Sequence, residues 1–219
     1  MEILYQGHGS IRVQSDQGVV LYLDPCAGEG YDLPADIILI THQHGDHNQV
    51  QLVTMKDDVE IFSPSSMIQH GEYRSIEIKG YTITSVPAYN RYHPKEECVG
   101  YVVIVDGLRI YFAGDTSQIP EMDNLRKEKI NYAFFPGDGF YNMDVKESEY
   151  CATIVGADRS VPIHLVPYHG QQGDLFSEEK AERFNPRGSL ILRPGDRVIA
   201  SLVEGGLEEE IVIGDFPAN

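Results

Sequence analysis

His42-Gln43-His44-Gly45-Asp46-His47 packs three imidazoles and a carboxylate into one short run, denser in these groups than ordinary packing requires. The run follows Asp36-Ile37-Ile38-Leu39-Ile40-Thr41, an apolar stretch that reads as a buried strand. In extended backbone alternate side chains share a face, so His42 and His44 point the same way. Asp46 and His47 then fall in the turn that opens the next segment. Neutral imidazole and carboxylate are donors that hold divalent ions while leaving a coordination position for water. An ion held in this way makes water a nucleophile near neutral pH and polarises the bond under attack. The pattern therefore points to metal-assisted hydrolysis.

Further polar residues stand where other strands end. Residues 109–113 run into Gly114-Asp115-Thr116, and residues 160–163 run into His164. Residues 81–87 run into Ala88-Tyr89-Asn90, with His93 just beyond. A carboxylate such as Asp115 can bridge two cations, with imidazoles completing each. Chemistry of this kind needs its ligands on rigid elements, so the strands leading into them matter as much as the ligands.

Those elements are legible in outline. β-prone runs at residues 3–5, 11–14 and 19–23 are separated by the turn sequences Gly7-His8-Gly9 and Asp16-Gln17-Gly18. Residues 46–55 read as a helix and 59–63 as a strand. Strands then follow at 74–78, 81–87, 99–105 and 109–113, the last two joined by Asp106-Gly107, which suits a tight hairpin turn. Beyond residue 120 helices (120–129, 143–157, 177–184) alternate with strands (130–135, 160–164, 189–192, 197–203). Asp144 reads as the N-cap of the second of these helices, with Glu147 three residues later. Strands first and mixed elements afterwards imply an α/β chain of two sheets with helices outside, in a single domain over residues 1–219.

Composition narrows the function classes. The net charge of −17 argues against a nucleic-acid or anionic membrane partner. It leaves room for an anionic small molecule, since bound divalent ions reverse the local field. Cys26, Cys98 and Cys151 are unpatterned, which fits a reducing cytoplasm better than a disulfide framework. The N-terminus lacks a basic region followed by an apolar core, and no apolar run approaches the ~20 residues that span a bilayer. A cytoplasmic protein is expected, with a homo-oligomer compatible with these features.

Thr41-His42-Gln43-His44-Gly45-Asp46-His47 matches the H-x-H-x-D-H signature, and the chain thereby resembles the metallo-β-lactamase superfamily. Gly114-Asp115-Thr116 is similar to that family's bridging-aspartate motif, and Pro162-Ile163-His164 to its last ligand histidine. Gly7-His8-Gly9-Ser10, Leu23-Asp24-Pro25 and residues 137–144 resemble the stand-alone branch that includes ascorbate-6-phosphate lactonase. The resemblance implies a four-layer αββα sandwich with two divalent ions at one edge, zinc foremost, with manganese or iron as alternatives. It implies that His42 and His44 hold the first ion and that Asp46, His47 and His164 hold the second, with Asp115 between them. Asp46 would also orient the nucleophile or pass its proton.

The family places a further histidine after the strand matching residues 81–87, where this chain has Ala88-Tyr89-Asn90. Asn90 could complete the first ion through its carbonyl oxygen, a harder and weaker donor than imidazole. His93 could instead reach in from the loop, as a ligand or a catalytic group. His8, Tyr168 and His169 divide between turn or surface roles and lining the site, and His70 reads as a surface residue. The implied activity is hydrolysis of a small-molecule ester, lactone or amide by a metal-activated water. The alternatives are a phosphodiesterase or nuclease on the same scaffold, drawing on Arg91, Lys95 and Arg12, and a metal-binding protein without catalysis.

Overall fold

A computed structural model describes residues 1–214 of the chain. Its strands, in chain order, are β1 (Glu2–Gly7), β2 (Ser10–Gln14), β3 (Val20–Leu23), β4 (Ala35–Leu39) and β5 (Met55–Phe62). Next come β6 (Ile68–Gln69), β7 (Glu72–Tyr73), β8 (Ser75–Ile78), β9 (Tyr81–Pro87), β10 (Val99–Val105) and β11 (Leu108–Phe112). The last four are β12 (Tyr132–Pro136), β13 (Arg159–Ile163), β14 (Arg197–Val203) and β15 (Gly206–Val212). The helices are α1 (Pro64–Met67), α2 (Met122–Leu125), α3 (Val145–Val155) and α4 (Glu178–Arg183).

Two sheets face each other, one ordered β15-β14-β1-β2-β3-β4-β5 and the other β13-β12-β11-β10-β9-β8. Each is antiparallel through most of its width and parallel toward one side, at β3-β4-β5 and at β11-β12-β13. Between them lies the main core, where Tyr5, Ile11, Leu23, Ile37 and Leu39 meet Tyr101, Ile110, Phe112, Phe134 and Val161. β4 is buried along its whole length, as its unbroken apolar run requires of a strand covered on both faces.

The outer layers are unequal. On the second sheet, Tyr111, Ala133 and Phe135 are covered by Cys151, Ala152 and Val155 of α3 and by Met122 and Leu125 of α2. On the first sheet, Val20, Tyr22, Ile38 and Ile40 are covered by Tyr31, Leu33, Val50 and Val53, which lie in loops and a single 3-10 turn at Val50–Leu52. The helix expected over residues 46–55 is thus reduced to that turn. Its backbone is claimed elsewhere, since Gln49 N donates to Pro25 O and the Asn48 amide donates to Gln43 O. Such local side-chain bonding competes with an i→i−4 ladder. The strand expected at residues 189–192 is likewise only one bridge, between Ser160 and Ser189.

Other expectations hold. Val105 and Leu108 pair across Asp106-Gly107, both turn residues having positive φ (51° and 79°), as a primed hairpin turn demands. Asp144 caps α3 by accepting from Glu147 N at 2.9 Å, while the Glu147 carboxylate turns instead to Gln118 N. Cys26, Cys98 and Cys151 are free and buried, and no helix of the described residues is long and apolar enough to cross a membrane.

Candidate metal centre

The loops following β4, β11 and β13 meet at one edge of the sandwich, where both sheets present strand ends. Asp115 is at the centre of the cluster. His42 Nε2 lies 4.0 Å from Asp115 Oδ2, His93 Nε2 lies 3.3 Å and His164 Nε2 lies 3.4 Å, with His47 Nε2 3.4 Å from Oδ1. Asp46 Oδ2 lies 3.6 Å from His164 Nε2 and 3.7 Å from His47 Nε2. The side chains form two separate groups that could each hold an ion, His42, His44 and His93, and Asp46, His47 and His164 with His8, while a third, Asp24 with His42 and His47, overlaps both.

Backbone geometry fixes these positions. Gly114 has φ +64°, and a Cβ there would meet Val99 O at 2.9 Å and the Thr41 side chain at 3.1 Å, so the chain passes into Asp115 only through glycine. His8, Asp24 and His164 all adopt left-handed φ (50°, 43° and 46°), a conformation that costs a non-glycine residue about 1–3 kcal/mol. His8 O accepts from His164 N at 2.8 Å, which ties two of these strained residues together. Gly9 lets the His47 ring approach, since a Cβ there would stand 3.1 Å from His47 Cε1.

Outer partners orient the imidazoles. Asp24 Oδ2 lies 2.7 Å from His47 Nδ1 and accepts from Thr41 Oγ1, whose oxygen is 2.9 Å from His42 Nδ1. One buried carboxylate thereby holds a histidine of each group. Asn90 Oδ1 stands 2.9 Å from His93 Nδ1 in a hydrogen bond, and Asp138 Oδ2 stands 3.3 Å from His164 Nδ1 as an ionic contact outside hydrogen-bond geometry. Such partners set the tautomer and aim the opposite nitrogen inward.

What faces inward lacks a partner. Nε2 of His42, His47 and His164 are buried without any hydrogen bond, an expensive arrangement unless something else completes them. Three unsatisfied imidazole nitrogens around a carboxylate, with a second carboxylate alongside, form a donor set that fits divalent cations. The electrostatics agree. Burial raises the Asp115 pKa, yet the neighbouring His164 and His47 outweigh it and hold the carboxyl well below its usual range. Burial also opposes charge on His47, but Asp115 and Asp24 prevail and raise it to about 9. His8 moves the other way, to about 4, through burial and then the charge of His164.

Of the residues singled out in the sequence, His42, His44, Asp46, His47, Asp115 and His164 come together here. Asn90 does not join them as a donor. Its carbonyl oxygen is occupied by His93, with Tyr92 N and His93 N also donating to it, and its amide nitrogen donates to Tyr141 O. The correction is that His93 stands beside His42 and His44, while Asn90 supports His93 from behind. Tyr168 packs against His8 at 5.4 Å between ring centroids; His169 is exposed, and His70 lies in the turn between β6 and β7. Asp24 and Asp138 received no role from the sequence. Their signal is an aspartate at the end of a buried strand, directly after it in Leu23-Asp24-Pro25 and one residue beyond it in Pro136-Gly137-Asp138.

The chain's likenesses agree with this geometry. Residues 2–164 match the beta-lactamase superfamily domain. A UPF0173 metal-dependent hydrolase of Thermococcus onnurineus is 27% identical over 224 residues, spanning 90% of this chain and 98% of that protein. A candidate metal-dependent hydrolase of Parabacteroides distasonis, 32% identical, superposes with a TM-score of 0.69 over 86% of this chain and 91% of its own. Igni18, a metallo hydrolase of Ignicoccus hospitalis, superposes with a TM-score of 0.71 at 21% identity, over 98% and 99% of the two chains. The chain belongs to the metallo-β-lactamase superfamily of metal-dependent hydrolases.

Proposed function

We propose that the chain hydrolyses a small-molecule ester, lactone or amide. In this reading one divalent ion is held by His42, His44 and His93, a second by Asp46, His47 and His164, and Asp115 lies between them. The observation that carries it is the convergence of three buried, unpartnered Nε2 atoms on one carboxylate. Divalent ions supply Lewis acidity and lower the pKa of a water nucleophile to about 7. Zinc suits the all-imidazole group, and manganese or iron suits the group richer in carboxylate.

The chain's own residues supply orientation. Asp46 Oδ2 lies 3.1 Å from His8 Nε2. Burial raises the Asp46 pKa, but the nearby His164 imidazole and the hydrogen bond with His8 more than reverse this and keep the carboxylate ionised. An ionised Asp46 is a hydrogen-bond acceptor, suited to orienting a water nucleophile rather than storing its proton. His8, neutral at pH 7, donates to Asp46 through Nε2–H and holds it toward the site. Its ring lies 3.7 Å from that of His164 between centroids, tilted by 42°.

Charge at the opening supports a small substrate over a polynucleotide. A cleft of about 330 Å³ beside His42 and His44 is lined by Ser63, Ser65, Glu96 and Glu97, with no lysine or arginine. Of the three cations that a phosphodiester reading would recruit, two are engaged elsewhere, Lys95 with Glu121 and Arg12 with Glu2 and Asp32, and only Arg91 is unpaired among the described residues. The test is a panel of lactones, esters and amides against bis-p-nitrophenyl phosphate, alongside metal analysis of protein purified without chelator. Turnover of a carbonyl substrate with two bound ions is the expected result. Turnover confined to the phosphodiester, or none with a single weakly held ion, contradicts it.

A further inference from the structure

A second cleft, of about 390 Å³, opens beside Asn90, the residue that supports His93. Its walls include Asn90, Arg91, Tyr92, Phe140, Tyr141 and Asn142. Three large aromatic side chains are left open to solvent there: Tyr92 is 39% exposed, Tyr141 39% and Phe140 58%. They pack edge to face, with centroids 5.5 Å apart for Tyr92 and Tyr141 and 4.7 Å for Phe140 and Tyr141. Clustered exposed aromatics are the usual mark of a binding surface, because leaving them wet is unfavourable.

The charge of this cleft is anomalous for the molecule. The chain has 34 acidic and 17 basic residues, yet no carboxylate lines the cleft and its single charged side chain is Arg91. The Arg91 guanidinium sits 4.5 Å from the Tyr92 ring centroid and makes no ion pair among the described residues. A stacked guanidinium keeps its N–H donors free for a planar anion.

The aromatic wall is also fixed in register with the candidate metal centre. Asp138 Oδ1 accepts from Phe140 N at 2.6 Å and Tyr141 N at 2.7 Å, while Oδ2 accepts from the Asn142 amide at 2.8 Å and faces His164. From the other side, the Asn90 amide donates to Tyr141 O at 2.9 Å while its oxygen faces His93. The two partners that orient His93 and His164 therefore also hold the segment carrying Phe140 and Tyr141. A wall already held in place spares a ligand the ordering cost of forming it.

We propose that this cleft is the recognition subsite for an aromatic carboxylate, the ring lying against Phe140 and Tyr141 and the carboxylate reaching Arg91. The proposal deepens the hydrolase reading by naming a class for the non-reacting part of the substrate, and it rests on that reading only for the word substrate. Binding itself is the test. Benzoate, its neutral counterpart benzamide, and acetate are titrated calorimetrically into the metal-loaded protein and into its Arg91→Ala and Phe140→Ala variants. Both side chains are exposed and their removal leaves the core untouched.

Benzoate is expected to bind about tenfold more tightly than acetate or benzamide, the scale of one ring contact or one charge-assisted hydrogen bond. Arg91→Ala should erase the preference for benzoate over benzamide, and Phe140→Ala should weaken both aromatic ligands by roughly three- to tenfold. The proposal is overturned if benzoate binds no better than acetate. It is equally overturned if both variants bind benzoate as the wild type does, the result expected of a carboxylate seated at the metal ions. Benzoate binding of the expected pattern without turnover of any carbonyl substrate would leave the subsite standing and remove the hydrolase reading.

Discussion

The two halves of the candidate centre use the same side-chain types in opposite surroundings. Around Asp46, His47 and His164 the imidazoles are buried, two carboxylates face the ion position, and Asp24 and Asp138 stand behind the rings. Around His42, His44 and His93 the first and last imidazoles are buried but His44 is exposed, and Asp115 lies 3.3 Å from His93. A divalent ion is drawn more strongly to the first environment, because low dielectric and negative charge act together there. The open half is the one that borders the acidic cleft, through His42 and His44. On the proposed reading the two halves would divide the work, the buried half retaining metal firmly and the open half admitting substrate.

Removing the shared group tests that division most severely. Asp115→Ala should release both ions and lower activity at least ~10³-fold, the loss of about 4 kcal/mol of transition-state stabilisation. Metal analysis and turnover on the same preparation check it; retained activity would break the proposed mechanism outright. A subtler comparison sets His164→Ala against His44→Ala. The first should cost the tightly held ion, whereas the second should leave that ion bound and empty only the weaker half, as stepwise chelator titration would show.

Smaller still is the effect expected at Asn90. Asn90→Ala removes the partner of His93 Nδ1 without touching His42 or His44, and a loss of roughly 10- to 100-fold in affinity at the open half alone is expected. Competition with a metal-sensitive dye reads each half separately.

The pH dependence of stability offers the mildest test. In the metal-free protein the His47 pKa is raised to about 9 by Asp115 and Asp24, acting against burial. A group whose folded pKa is raised contributes stability fully present below its unfolded value, near 6.5, and lost as pH rises through about 9. The metal-free Tm should accordingly fall between pH 6.5 and 9. Metal should reverse the slope, because its ligands bind deprotonated and its affinity rises with pH. A metal-free Tm flat across this window would show that His47 is not held between carboxylates as described.

The sequence located these halves unevenly, for identifiable reasons. The parallel-type strand β4 and the hairpin at Asp106-Gly107 were legible because an unbroken apolar run and a positive-φ turn each leave a local mark. The meeting of His42, His47, Asp115 and His164 was legible because each follows a buried strand. His93 could not be placed in advance, since its position depends on a tight turn in which Asn90 and His93 bond to each other's backbone. Spacing alone made Asn90 the nearer candidate, whereas that turn folds Asn90 behind the ring. The thin outer layer on the first sheet was missed for a related reason. Residues 46–55 have the composition of a short helix, but Gln49 N is bonded to Pro25 O and the Asn48 side-chain amide to Gln43 O. Asp24 and the 137–144 segment that holds Asp138 are visible in the sequence, yet a supporting role behind an imidazole is visible only once the ring is in place.

The central claim, two ions held in unequal halves, is tested most directly by a crystal structure of metal-loaded protein with anomalous scattering collected at the metal edge. Two anomalous peaks are predicted, one among Asp46, His47 and His164 at full occupancy and one among His42, His44 and His93 at equal or lower occupancy, with Asn90 outside both coordination spheres. A single peak, a fuller peak in the open half, or the Asn90 oxygen bound to an ion would contradict the account.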